Sequence, residues 1–121
     1  MKHWNLKRYG YPTYNKYGNK KETIDGITFD SKHEASIYAE LKLLERCGAI
    51  RNLQLQVPFI ILDAYEINGR KIRAVKYVAD FVFINEKGEQ EVWDAKGVKT
   101  DVYKLKKKMF EQRYKIEIKE V

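Results

Sequence analysis

Two alternating segments separated by one tight turn constrain this chain more than any other feature. Residues 76–84 (KYVADFVFI) and 90–96 (QEVWDAK) flank Asn85-Glu86-Lys87-Gly88. A polar, glycine-ending tetrapeptide between two period-two runs predicts a β-hairpin. With the turn centred near Lys87, Asp80 faces Asp94 or lies one step from it. Alternation puts Val92, Asp94 and Lys96 on one face of their strand, with Trp93 and Ala95 on the other. On the neighbouring strand Phe81 and Phe83 take one face, and Asp80 and Val82 the opposite one. Two carboxylates thereby emerge together from an otherwise apolar sheet. Like charges side by side are unfavourable unless compensated. A divalent cation with hard oxygen ligands, Mg2+ or Mn2+, is the usual remedy. Lys96 points to the same side, where an ammonium would orient a water or stabilise transition-state charge. The plainer alternative is a turn carboxylate and an Asp94–Lys96 surface ion pair of little energetic weight.

Around this hairpin the chain reads as alternating α and β elements. Residues 23–29 (TIDGITF) suggest a short hairpin about Asp25-Gly26. Ser31 is a helix N-cap with Glu34 three residues on, and Ile37, Tyr38, Leu41 and Leu44 form an apolar stripe before Gly48, so a helix is expected over 31–47. Cys47, near its end, is expected to be a small buried hydrophobe. Residues 52–62 read as a strand that Pro58 confines to a sheet edge or a bulge. Asn68-Gly69 predicts a hairpin between 64–67 and 70–75. A helix follows over 101–112, with Val102, Leu105 and Met109 inward, and residues 114–119 (YKIEIK) alternate as a final strand. With no internal repeat or interior linker, the expected class is α/β, a single domain over 23–121 with a mixed central sheet.

Charge narrows the partners. The formal net charge is +7, from 24 Lys and Arg against 17 Asp and Glu, which favours polyanions, of which nucleic acid is the commonest. Six of those cations fall in residues 1–22, among Trp4, Tyr9, Tyr11, Tyr14 and Tyr17. This stretch reads either as a loose arm or as a nucleic-acid-contacting one, with cations such as Lys7 and Arg8 on phosphate and rings free to stack. A single cysteine and two widely spaced histidines make neither an internal disulfide nor a zinc site. There is no apolar run of membrane-spanning length and no signal core, so the expected setting is soluble and cytoplasmic, without membrane or organic cofactor.

The segment Tyr77-Val78-Ala79-Asp80-Phe81, followed by Val92-Trp93-Asp94-Ala95-Lys96-Gly97, resembles the PD-(D/E)XK nuclease signature, in which an Asp on one strand precedes an acid-x-Lys triplet on its hairpin partner. Ala79 stands where the signature's Pro would be. More narrowly, the chain is similar to a family of small phage proteins with Ala-Asp-Phe, then acid-x-Lys-Gly, then a Thr before a Lys-rich helix (here Thr100 and Lys104 to Lys108). The resemblance covers roughly residues 25–119 and implies a restriction-endonuclease-like core ordered helix, three or four strands, helix, strand. It implies Asp80 and Asp94 as metal ligands, the Ala95 carbonyl as a further one, Lys96 acting on the attacking water, and Glu34 ligating from its helix. Ser31-x-x-Glu34 is equally a capping box. Lys99, Lys104, Lys107 and Lys108 read as phosphate contacts or as a solvated helix face. Gln56, or Gln54, is placed to reach site or DNA from the adjoining strand, or simply to face water.

The expected activity is Mg2+-dependent hydrolysis of DNA phosphodiesters. It is structure-selective on branched DNA such as a Holliday junction, in phage recombination or replication, by a homodimer that brings one site to each of two symmetric strands. The alternatives are a nucleic-acid-binding protein that keeps the fold without catalysis, and a hydrolase acting on RNA or nucleotides.

Overall fold

The computed structural model describes residues 21–95 and 97–121. Most of the basic arm, with Lys7 and Arg8, and the hairpin residue Lys96 lie outside them. The elements run β1 (Glu22–Ile24), β2 (Ile27–Phe29), α1 (Lys32–Arg46), β3 (Arg51–Leu62), β4 (Tyr65–Ile67), β5 (Arg70–Ile72), β6 (Val75–Ile84), β7 (Gln90–Asp94), α2 (Asp101–Tyr114) and β8 (Ile118–Glu120). A four-stranded sheet in the order β3-β6-β7-β8 is joined by two separate hairpins, β1-β2 and β4-β5. The first two pairings in the main sheet are antiparallel and β7-β8 is parallel. The chain is thus mixed α/β.

The central hairpin closes in the expected register, with Phe81 opposite Trp93, Val82 opposite Val92 and Phe83 opposite Glu91. Asn85 makes the turn: its Oδ1 accepts from the backbone N–H groups of Lys87 (2.9 Å) and Glu89 (3.0 Å), so the side chain replaces ladder bonds the loop cannot form. Pro58 lies in β3, an edge strand, where its missing N–H costs no ladder bond.

Two apolar clusters form on the sheet. Phe29, Ala35, Tyr38, Leu41, Phe81 and Phe83 build the one under α1, and Trp93 and Ala95 pack against it. Tyr77, Ala79, Val82, Val92, Tyr103 and Phe110 build the one under α2. The faces expected for the apolar residues of β6 and β7 follow, since Phe81 and Phe83 part from Val82 and Val92. Asp80 and Asp94, however, do not emerge together: Asp80 meets Gln56 beside Glu34 of α1, and Asp94 is buried against Tyr77 of the α2 layer. Strict alternation then fails at one level of the sheet. Leu53 and Leu55 pack with the α1 cluster but Val57 and Phe59 with the α2 cluster. Phe81 and Phe83 belong to the first, Ala79 and Tyr77 to the second. Both strands change allegiance across Gln56 and Asp80. On β3 the cause is visible, because Gln56 has φ +53, in the left-handed region.

α1 runs as expected, with Ser31 as N-cap and Tyr38 and Leu41 buried. Four other expectations are corrected. Cys47 is exposed, because it is the C-cap where the helix turns away from the core. In α2 the buried residues are Tyr103 and Phe110, whereas Val102 and Leu105 are exposed; only Met109 of the predicted stripe packs inward. The stripe is rotated by about one residue because Phe110 finds aromatic neighbours in Phe59, Tyr77 and Tyr114. The last strand is shorter and later than 114–119, since Tyr114 ends α2 and Lys115 caps it at φ +60. Finally, β7 stops at Asp94 rather than running to Lys96, because the Ala95 N–H donates to the Asp80 carboxylate and not to a ladder carbonyl.

Candidate functional site

Asp80 follows from the hairpin. Continued one step beyond Phe81–Trp93, the β6-β7 register sets Asp80 opposite Asp94. Its Oδ2 accepts from the Ala95 N–H at 2.9 Å, which fixes the carboxylate at the end of β7. Its Oδ1 accepts from Gln56 Nε2 at 3.2 Å. The same nitrogen lies 3.4 Å from Glu34 Oε2. Glu34 sits in the first turn of α1, where its backbone N–H donates to the N-cap hydroxyl of Ser31 at 3.1 Å. The cap therefore engages the Glu34 backbone while its side chain meets β3 and β6. Two carboxylates from elements 46 residues apart in sequence, Glu34 and Asp80, thus flank a single atom.

Asp94 is different. It is 0% exposed, and its Oδ2 accepts from the Tyr77 hydroxyl at 2.7 Å. Burial, then the bond to this carboxylate, pushes the Tyr77 hydroxyl far above the usual tyrosine range, so it acts as a neutral donor throughout. Parallel pairing brings Glu120 of β8 beside Asp94. Glu120 accepts from the Tyr103 hydroxyl at 2.9 Å and pairs with Lys107 (3.3 Å) and Lys99 (3.7 Å). The Tyr103 hydroxyl, helped by both lysines, holds the Glu120 carboxyl below its usual range. Burial, followed by the bond to Glu120, drives the Tyr103 hydroxyl well above its own.

Asp80, Glu34 and Gln56 are therefore brought together, with Asp94 one strand step away but enclosed. Among the described residues, no group of three or more His, Cys, Asp or Glu side chains forms a metal-holding cluster. Lys96, expected beside Asp94, lies outside the described residues. Of the expected phosphate contacts, Lys99 and Lys107 are engaged by Glu120, while Lys104 and Lys108 are exposed on α2. Gln56, expected to face DNA or water, lies between two acids. Glu120 is the residue sequence reading missed. Its place depends on a parallel pairing across a helix, and nothing local in YKIEIK announces it.

Two carboxylate oxygens either side of one atom suit a hard cation, which takes one or two carboxylates and keeps several waters. Glu34 and Asp80 could hold such an ion directly; Ala95, just past β7, gives its N–H to Asp80, and Asp94 is buried against Tyr77.

The family described as "Protein of unknown function (DUF1064)" matches residues 14–120, and the chain belongs to it. No curated protein and no solved structure matches.

Proposed function

We propose that this chain is a metal-dependent DNA endonuclease with a PD-(D/E)XK-type core, acting on branched or junction DNA. The observation that carries this reading is the meeting of Glu34 and Asp80 on one amide nitrogen, one strand step from Asp94. The order of helix acid, strand acid and Asp94-x-Lys96 supports it, as does the net charge of +7. A bound Mg2+ would supply an acidified water and offset charge on the scissile phosphate. Glu34 and Asp80 would hold the ion, with Asp94 and the Ala95 carbonyl as its further oxygen donors. The Lys96 ammonium would orient the water, whose oxygen forms a new bond to phosphorus as one P–O ester bond breaks and whose proton passes, by way of solvent, to the departing oxygen. Lys104 and Lys108 contact the flanking backbone from α2.

A second reading has one observation in its favour, the complete burial of Asp94 against Tyr77. On that reading the protein binds nucleic acid without cutting it. Incubation with plasmid and with a synthetic four-way junction, in Mg2+, Mn2+ or EDTA, separates the two. The expected result is cleavage that needs the metal, falls at least about a hundredfold in Asp80→Asn and Lys96→Ala, and leaves junction binding in EDTA within a few-fold. Binding without metal-dependent cleavage of any DNA would install the second reading instead.

A further inference from the structure

Five residues other than glycine have positive φ among the described residues: Asp25, Asn52, Gln56, Asn68 and Lys115. Asp and Asn enter this region readily because their short side chains bond the local backbone, and Lys115 is a helix C-cap. Gln56 alone is a long side chain in the interior of a strand. Such a conformation persists only where surrounding contacts over-determine it, and it clusters at functional sites.

Leu55 pairs with Phe81 and Val57 with Ala79, so Gln56 stands directly across from Asp80. Its Nε2 reaches Asp80 Oδ1 at 3.2 Å and Glu34 Oε2 at 3.4 Å. Ionised carboxylates only accept, so the amide must present its two N–H donors here and not its oxygen. The left-handed turn at Gln56 is also where β3 passes from the α1 cluster to the α2 cluster, which seats the amide between the first turn of α1 and the middle of β6.

We infer that Gln56 is a positioning residue, whose side-chain amide holds the Glu34 and Asp80 carboxylates as a ready-made pair and yields the place between them to a divalent cation. This rests on the metal-dependent reading above. The amide is neutral, so its two N–H groups offset the repulsion of two acids only in part, and a cation at the same place offsets it more fully. Turned about its last bond, the same side chain offers Oε1, a hard oxygen that suits the ion or one of its waters.

Calorimetric titration of the full chain with MnCl2, with thermal melts in EDTA and in Mn2+, tests the inference. Gln56→Ala and Gln56→Gly should each weaken Mn2+ about tenfold. Gly is at ease at positive φ, so Gln56→Gly should melt no lower than Gln56→Ala in EDTA, which separates lost binding from lost folding. Gln56→Glu puts a third carboxylate in the cluster. It should melt below wild type in EDTA and show a larger Mn2+-induced rise in melting temperature, which a purely structural glutamine would not give. Mn2+ affinities in Gln56→Ala and Gln56→Gly within about twofold of wild type would overturn the role of Gln56 while leaving the metal site standing. A wild-type chain that binds no Mn2+, with Asp80→Asn indistinguishable from it, would overturn the metal reading itself and Gln56's role with it.

Discussion

The same hairpin contributes to two polar clusters that each hold two carboxylates and differ in surroundings. On the α1 side, Glu34, Gln56 and Asp80 gather at a surface where the amide is exposed and the carboxylates are part-buried. On the α2 side, Asp94 is sealed under Tyr77 and beside Tyr103, and only Glu120 opens outward, to Lys99 and Lys107. Polar groups in a low-dielectric interior are costly unless bonded, so each tyrosine hydroxyl in the closed cluster is paired with a carboxylate. The open cluster lies at the solvent surface, where two acids share the Gln56 amide. The closed cluster thus braces β7, α2 and β8 while the open one meets solvent, and on the proposed function Asp94 would serve both.

If that division holds, variants on the two sides separate stability from binding. The largest stability loss is expected from Phe110→Ala, which empties the aromatic centre of the α2 layer; about 3–5 kcal/mol should be lost in urea unfolding. Tyr77→Phe removes a buried donor to a carboxylate and should cost about 1.5–3 kcal/mol. A change below about 0.5 kcal/mol would mean that Asp94 is held by other groups. Asp80→Asn keeps an oxygen to accept the Ala95 N–H, so its unfolding free energy should stay within about 1 kcal/mol of wild type while Mn2+ binding is lost. Destabilisation as great as that of Tyr77→Phe would erase the contrast between the clusters.

The smallest effect is a pH dependence. Glu120 is held below the ordinary glutamate value of 4.5 by the Tyr103 hydroxyl and then by Lys107 and Lys99. A carboxyl depressed in the folded state contributes stability that is present above its unfolded value and lost as the pH falls through its folded one. Thermal melts from pH 6 down to pH 3 (about one and a half units either side of that value) should therefore fall less steeply in Glu120→Gln than in wild type. Parallel curves would show the Tyr103 and lysine contacts to be worth little.

Much of this arrangement is legible in the sequence itself. The Asn85–Gly88 turn and the period-two runs about it set Asp80 across from Asp94. Ser31 and its apolar stripe marked α1, and Pro58 marked an edge. These are local signals, since turn chemistry, capping and alternation depend on neighbours within a few residues. The face of α2 was misjudged for the converse reason. Val102, Leu105 and Met109 satisfy helical spacing as well as Tyr103 and Phe110 do, and only the aromatic partners on β3 and β6 choose between the two stripes. For the candidate site, register sets Asp80 across from Asp94 without showing that Asp94 is closed, and Glu34 enters only through the family resemblance, since its place in the helix reads equally as a capping box. At Gln56 the sequence reads equally as an amide reaching the site, contacting DNA or facing water.

What the sequence by itself determined is thus the hairpin, the helices and the acids they carry, because each is written in contacts of short range. Tertiary structure alone decided which acid is open and which is closed. The sign of φ at Gln56, the parallel seating of β8 beside β7 and the turn of α2 that brings Tyr103 over Glu120 all rest on pairings between distant segments. A backbone in the left-handed region is selected by what the side chain reaches and not by the intrinsic preference of glutamine, so no local pattern could have announced that Asp80 would share an amide with Glu34 while Asp94 was shut away.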